Sequence, residues 1–174
     1  MSDRVITLWD PVLRLLHWVT ALCFVLNYWV WAQGEFWHRA TGYLLFCVVL
    51  LRLVWGITGP EPARFSLKAL HKTQWKHHFT QLKNRCLDPH EGHNPFGFLW
   101  LYACLGLCSA LALTGFMLEE VDYFFGSDRL ESVHGLLADT LFALACIHVT
   151  AVIILQWWGK VSLVKPMLTG KRWY

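Results

Sequence analysis

The sequence predicts an all-α integral membrane protein, a bundle of four transmembrane helices in up-down order. Of its 174 residues, 56% are hydrophobic and only 16% are charged, whereas an average soluble domain is about 25% charged. The hydrophobic residues form four blocks, each close to the roughly 20 residues that cross about 30 Å of hydrocarbon. A chain of this length could not enclose four such helices in a soluble core. The composition also excludes a disordered chain, which needs low hydrophobicity and high charge.

The first two spans are delimited by charged residues and helix breakers. The first hydrophobic block contains no Asp, Glu, Lys or Arg, and it ends at Gln33-Gly34. The second block carries only Arg52 and ends in a segment rich in glycine and proline. These limits predict transmembrane helices over about 12–34 and 38–58.

The third and fourth spans have equally clear limits. Asn94-Pro95 opens the third block as a capping residue followed by a proline at the first helical position. The fourth block carries only Asp139, which we interpret as a hydrogen-bonding partner of a neighbouring helix, with proton transfer as the alternative. We predict helices over about 95–118 and 134–158.

Basic residues indicate which side of the membrane each connection faces. The four spans and the loop 59–94 form a single domain, 1–174, and an even number of spans puts both termini on one side. The termini and the loop carry most of the basic residues: Arg4, Arg14, Arg64, Lys68, Lys72, Lys76, Lys83, Arg85, Lys160, Lys165, Lys171 and Arg172. The positive-inside rule therefore places the termini and the loop in the cytoplasm and an acidic connection, 119–131, outside. The small net charge of +3 gives no indication of nucleic acid.

Four of the nine histidines lie in or beside the predicted spans. His134 and His148 are 14 residues apart, so they face nearly the same way along one helix and are separated by about 21 Å. His17 begins the first span at the cytoplasmic edge, and His38 begins the second span at the outer edge. Two level pairs result, an outer pair of His38 with His134 and an inner pair of His17 with His148. A single histidine in a span would more often be a hydrogen-bonding residue of the helix interface.

Paired histidines facing each other across a bundle favour haem. Two neutral imidazoles on opposite sides of an iron porphyrin form a low-spin electron-transfer centre. A structural zinc site needs four ligands close together, whereas these pairs are about 20 Å apart. The chain has no Cys-x-x-Cys-His motif. The pattern therefore predicts two non-covalent b-type haems in the bundle core.

Two arginines are candidates for binding the haem propionates. Arg39 follows an outer-pair histidine directly, and Arg52 lies about 21 Å deeper along the same helix, at the level of the inner pair. A guanidinium can form two parallel hydrogen bonds with a carboxylate. The alternative for Arg52 is that it extends to the cytoplasmic head groups.

Several short motifs, taken in order, resemble a known family. They are Trp9-Asp10-Pro11-x-x-Arg14-x-x-His17-Trp18, His38 with Gly42, Gly92-His93-Asn94-Pro95-x-Gly97, His134-Gly135 and His148-Val149. In this order they resemble the bacterial cytochrome b561 family, which includes the b-type cytochrome subunits of nickel-iron hydrogenases. The resemblance covers nearly the whole chain. It implies a dihaem protein of the bacterial inner membrane that exchanges electrons with quinone or a redox partner, with the same four histidines as iron ligands.

The expected function is transmembrane electron transfer between the quinone or quinol pool and a redox partner, such as a periplasmic c-type cytochrome. One alternative is an enzyme in its own right, a quinone-dependent superoxide oxidase. Another is a membrane anchor and electron-transfer subunit of a hydrogenase or dehydrogenase. The acidic outer connection favours a basic partner over an anionic substrate.

The cytoplasmic loop carries a predicted surface helix over 65–82 and five histidines of its own. They are His71, His77, His78, His90 and His93. We expect loop histidines to be solvated. For His93, at the membrane edge, the alternative is proton exchange with quinone at the inner face.

Overall fold

The protein is described by a computed structural model covering residues 5–88 and 90–173. Arg4, one of the cations counted above, lies outside the described residues. Eight regular α and β elements occur among them: β1 (Val5–Thr7), α1 (Pro11–Val25), α2 (Phe36–Thr58), α3 (Lys72–Lys83), α4 (Pro95–Glu120), α5 (Asp128–Trp158), α6 (Val164–Thr169) and β2 (Lys171–Trp173). A π-helix (Leu26–Val30) continues α1, and 3-10 turns lie at Glu61–Ala63, Leu67–Leu70 and Asp122–Phe124.

The predicted transmembrane architecture is confirmed. Among the described residues, four helices are long and apolar enough to cross a membrane: Pro11–Val30, Phe36–Thr58, Pro95–Glu120 and Asp128–Trp158. Their apolar side chains mostly point outward, and Ile57 and Leu136 are 74% and 67% exposed. Such surfaces suit contact with lipid tails, so the chain is a multi-pass membrane protein.

The helix limits follow from local capping chemistry. As predicted, Asn94 caps α4, since its Oδ1 accepts a hydrogen bond from the Gly97 amide (2.7 Å) and Pro95 is the first helical residue. Asp10 does the same for α1, where its Oδ1 accepts from the Leu13 amide at 3.0 Å. The surface helix predicted over 65–82 is partly wrong. The chain forms a 3-10 turn first, breaks at an extended His71, and only then forms α3.

The chain divides into two compact units. The first comprises Met1–Arg14, Val54–Tyr102 and Cys146–Tyr174, and the second comprises Leu15–Leu53 and Ala103–Ala145. The second unit thus contains parts of all four long helices. Its core is a cluster of six buried residues: Cys23, Leu45, Val49, Cys108, Leu111 and Leu141. Lipid tails are as apolar as these side chains, so van der Waals packing holds this core together.

The first unit joins the two ends of the chain. β1 pairs antiparallel with β2, with Ile6 opposite Arg172. Gly170 closes α6 in the left-handed conformation (φ 79°), where its carbonyl accepts a hydrogen bond from the Leu8 amide at 2.8 Å. A Cβ at Gly170 would lie 2.8 Å from the Trp9 carbonyl oxygen, so both conformation and space favour glycine.

Arg172 is the most deeply buried charged residue of this unit, with 2% of its surface exposed. Its Nε donates to the Ser162 carbonyl at 3.0 Å, and one terminal nitrogen donates to the Glu91 carbonyl at 2.9 Å. Burial lowers the pKa of this guanidinium, and the nearby Asp88 carboxylate raises it. Arg172 therefore fastens the C-terminal strand to the loop before α4.

Replacing Arg172 with methionine is expected to lower the Tm by at least about 6 °C, because two carbonyls lose charge-assisted hydrogen bonds that each contribute about 1.5–3 kcal/mol, and 1 kcal/mol shifts the Tm of a chain of this size by about 2–4 °C. Thermal unfolding in detergent micelles, followed by circular dichroism, measures this. Lys171→Met changes the exposed neighbour on the same strand and should leave Tm unchanged. Equal Tm values for the two variants would contradict the structural role of Arg172.

Candidate functional site

The outer histidine pair lies within the second unit. His38 is in the first turn of α2, and His134 is in the second turn of α5. Their ring centroids are 6.4 Å apart with an angle of 62° between the planes. The structure therefore brings together the two side chains that the sequence paired on the outer side.

This separation fits two ligands of one metal. Imidazoles on opposite sides of a single iron, each bonded through nitrogen at about 2 Å, have ring centres about 6 Å apart. The observed 6.4 Å agrees with that spacing. Direct hydrogen bonding between the rings would bring them closer, so the arrangement favours an atom held between them.

Thr114, on α4, determines which nitrogen of His134 is available. The hydroxyl oxygen lies 2.8 Å from His134 Nδ1 and 2.8 Å from the Ala110 carbonyl. A hydroxyl has one proton, and the carbonyl can only accept. With its proton donated to the Ala110 carbonyl, the Thr114 hydroxyl accepts from His134 Nδ1–H, and that tautomer leaves the Nε2 lone pair free for a metal.

A glycine beside His134 leaves space next to the imidazole ring. Gly115 follows Thr114 on α4, and a Cβ at Gly115 would lie 3.4 Å from Cε1 of the imidazole. Such a contact lies at the short limit of ordinary van der Waals packing. The absence of a side chain at Gly115 therefore lets α4 approach the ring closely without pressing on it.

The surroundings of His38 include the π-helix that continues α1. Asn27, in that π-helix, accepts a hydrogen bond from Thr41 Oγ1 on α2 (2.9 Å) and donates to the Cys23 carbonyl (3.1 Å). Local π-helical turns frequently mark functional positions. The Nδ1 atom of His38 is buried, with no hydrogen-bond partner among residues 5–88 and 90–173. The sequence pattern did not predict the π-helix, since nothing in its composition distinguishes it from α-helix.

The inner pair is divided between the two units, so each member is described within its own unit. His17 lies on α1 in the second unit, where its ring packs edge-on against Trp18 with centroids 5.3 Å apart. His148 lies on α5 in the first unit and stacks with the Trp100 ring at 6.0 Å and 23°. Both imidazoles therefore lie beside tryptophan rings, and their pairing stays a prediction.

The two predicted propionate-binding arginines lie in different environments. Arg39 is exposed and forms an ion pair with Glu119 at 3.1 Å. Beside it, the Tyr43 hydroxyl donates to Glu120 at 2.5 Å, so Glu119 and Glu120 are already partnered by residues of α2. Arg52 is only 7% exposed, which fits an interior position in α2 better than extension to the head groups.

Asp139, the acidic residue of the fourth span, has a structural partner. Its Oδ1 accepts a hydrogen bond from the Tyr28 hydroxyl at 2.7 Å, and the Tyr28 ring stacks on Phe142 with centroids 5.0 Å apart. The bond joins α5 to the π-helix, as expected from the hydrogen-bonding interpretation of the sequence.

The prediction that the loop histidines are solvated is wrong for His78. This residue lies on α3 and is 1% exposed, whereas His77 beside it has an exposed side chain. Burial lowers the pKa of His78, since it disfavours the charged form, while the carboxylate of Glu91 raises it. Sequence analysis missed this residue, because α3 is too polar overall to reveal which of its faces is covered.

The remaining loop groups show ordinary surface chemistry. Asp88 accepts a hydrogen bond from the His90 backbone amide at 2.8 Å, and this bond lowers the pKa of the carboxyl group. His90 Nδ1 lies 3.2 Å from the same carboxylate oxygen. His71 Nδ1 lies 3.1 Å from the Thr73 hydroxyl at the start of α3.

Comparisons with known proteins match most of the chain to one family. The family model described as "Prokaryotic cytochrome b561" matches residues 8–170. A "Probable Ni/Fe-hydrogenase B-type cytochrome subunit" of Azotobacter vinelandii is 26% identical over 218 aligned residues, covering 99% of this chain and 90% of that protein. A protein of the same description from Azotobacter chroococcum mcd 1 is 29% identical, covering 74% of this chain and 66% of its own length. No solved structure matches the chain.

Replacing Thr114 with valine is expected to weaken haem binding by about 10- to 100-fold, because the hydroxyl that orients His134 is lost while the shape is kept. Thr114→Ser retains the hydroxyl and should restore binding. The measurement is a titration of haem into apoprotein, followed by the Soret band.

Thr140→Val provides the matched control, since the Thr140 hydroxyl binds only the Leu136 carbonyl of its own helix. Equal haem affinity in Thr114→Val and Thr140→Val would contradict the orienting role of Thr114.

Proposed function

Because the chain belongs to the prokaryotic cytochrome b561 family, we propose that it carries electrons between the quinone pool and a redox partner through two b-type haems. Family membership makes it a membrane electron-transfer cytochrome of the b type. Its number of haems, its substrate and its partner belong to the proposal.

The outer pair carries the proposal. His38 and His134 are separated by a distance that fits one iron between them, and a Thr114 hydroxyl that accepts from Nδ1–H would leave the Nε2 of His134 free. A haem bound there supplies one-electron redox chemistry, and the protein contributes ligation, orientation and a low dielectric. His17 and His148 would hold a second haem on the inner side. That assignment rests on their spacing and on the family resemblance.

Arg39 and Arg52 are proposed to balance the propionate charges. Arg52 is buried in α2, where a guanidinium needs anionic or carbonyl partners. Arg39 already pairs with Glu119, so its guanidinium would bind a haem propionate and the Glu119 carboxylate at the same time. Both arginines would fix the orientation of the haem through charge-assisted hydrogen bonds.

The proposed location is the bacterial inner membrane, with both termini and the loop 59–94 in the cytoplasm. The concentration of lysines and arginines on that side supports this orientation. Quinone or quinol, dissolved in the lipid, would be one redox substrate. Under this orientation, the second haem gives electrons a route across the hydrocarbon layer.

The outer surface favours a basic redox partner, such as a periplasmic c-type cytochrome. Asp122, Asp128 and Glu131 are exposed there, and acidic surfaces attract basic proteins while repelling anions such as superoxide. This charge argues for an electron carrier over a superoxide oxidase. The hydrogenase subunits among the relatives support the other alternative, an anchor subunit of a hydrogenase or dehydrogenase.

Purified protein is expected to contain about two b haems per chain by pyridine haemochrome assay, since two histidine pairs are present. Replacing His134 or His38 with leucine should reduce this to about one. Thr140→Val should keep both haems, and a loss of haem in this variant as well would mean that the loss reflects misfolding. Retention of two haems in His134→Leu would contradict the outer site.

A short-chain ubiquinol is expected to reduce the bound haem, and ferric c-type cytochrome should then reoxidise it, because the chain links the quinone pool to a periplasmic partner. Stopped-flow absorbance at the haem bands measures both steps. Haem that stays oxidised with quinol but is reduced by superoxide would support the oxidase alternative. Copurification with a hydrogenase or dehydrogenase, without reaction with c-type cytochrome, would support the anchor alternative.

A further inference from the structure

A polar cavity lies in the first unit, beneath the start of α4. Its volume is about 110 Å³, and its lining includes Gln74, His78, Glu91, His93 and Asn94. A second cavity of about 30 Å³ shares His78, Glu91 and Asn94 and adds Arg172. The larger space accommodates several water molecules with many polar partners.

His78 faces both cavities and is almost completely buried, with 1% of its surface exposed. Neither ring nitrogen has a hydrogen-bond partner among residues 5–88 and 90–173. A buried imidazole without partners costs stability, so such a residue points to water or a ligand in the adjacent space. One nitrogen of the neutral ring can donate and the other can accept, which is the chemistry of a proton relay.

A hydrogen-bonded group of His77, Gln81 and Glu91 connects the cavity with the exposed surface of α3. Glu91 Oε1 lies 3.3 Å from Nδ1 of His77, whose side chain is 56% exposed. Gln81 Nε2 donates to Glu91 at 3.1 Å and lies 3.2 Å from the same His77 nitrogen. Neutral His77 can accept from Gln81, whereas protonated His77 can donate to Glu91. His77 can therefore take up a proton from solvent and keep a hydrogen-bond partner in either state.

The cavity also borders the start of the third transmembrane helix. His93 and Asn94 line it there, and Pro95 begins the third transmembrane helix. The His93 ring also packs against Trp9 with centroids 4.7 Å apart. Groups capable of hydrogen bonding therefore extend from an exposed histidine to the first turn of a span.

We propose that this cavity is a proton-exchange site, in which His78 passes protons between the His77–Glu91 pair at the surface and the membrane edge at His93. The proposal rests on the proposed function, because quinone reactions at the membrane edge release or consume protons along with electrons. It assigns the histidines of the loop a role separate from haem ligation.

The charges around His78 suit rapid exchange. Burial lowers the pKa of His78, and His77 acts in the same direction, while Glu91 raises it. The other titratable groups around the two cavities are His93, Asp88 and Arg172. His78 is thus neutral at pH 7 and releases an acquired proton readily, as a relay requires.

Nitrogen NMR of protein labelled with ¹⁵N-histidine tests the site independently of haem and quinone. The His78 signals are assigned by their absence in His78→Gln. We expect exchange between the His78 ring proton and water, and a pKa below the ordinary 6.5. A ring that keeps one protonated nitrogen from pH 4 to 8 without water exchange would overturn the proposal.

The rate of haem reduction by a short-chain ubiquinol provides the functional test. His78→Ala is expected to slow reduction by about 100-fold, the lower end of what positioned proton transfer contributes. Free imidazole should restore the rate by entering the enlarged cavity. If the His78 side chain had only a structural role, free imidazole would not restore the rate. His71→Ala, which changes an exposed loop histidine, should keep the wild-type rate.

The possible failures are distinguishable. A His78→Ala variant with intact haem spectrum and wild-type rate would overturn the proton-exchange proposal alone. Wild-type haem that quinol cannot reduce would overturn the quinone part of the proposed function, and the NMR titration would still decide whether His78 exchanges protons with water.

Discussion

The structure depends on holding neutral imidazoles inside an apolar bundle, each with one ring nitrogen left to bind a metal. An imidazole in lipid-like surroundings cannot stay charged, and each of its nitrogens needs a partner. At His134, the Thr114 hydroxyl oxygen accepts a hydrogen bond from Nδ1–H, and the hydroxyl proton is donated to the Ala110 carbonyl. The ring centroid of His134 lies 6.4 Å from that of His38, a separation suited to one iron between the two rings. Gly115 lets α4 approach the His134 ring, and the first turn of α2 carries His38.

The first unit has a polar network of its own. Arg172 fastens the C-terminal strand to the Glu91 carbonyl, and the Glu91 side chain connects the exposed His77 with the cavity at His78. Glu91 therefore takes part both in the fold, through its backbone carbonyl, and in the proposed proton path, through its side chain. The same hydrogen bond connects the strand pair at the chain ends with the loop that precedes α4.

The sequence was sufficient to predict the four spans, because lipid requires long apolar helices whatever their packing. It also paired His38 with His134, since helix rise places them at one level. It did not predict that Thr114 would orient His134, because a threonine in a span has no distinctive spacing. Burial of His78 and Arg172 was equally hidden, since it arises when distant segments cover polar residues that local pattern assigns to solvent.

The central claim is that two imidazoles hold one haem iron at the outer site, and low-temperature EPR of the ferric protein tests it most directly. The account predicts low-spin signals of bis-imidazole haem, with one such signal lost in His134→Leu. A high-spin, five-coordinate iron in the wild type, or a spectrum unchanged by His134→Leu, would contradict it.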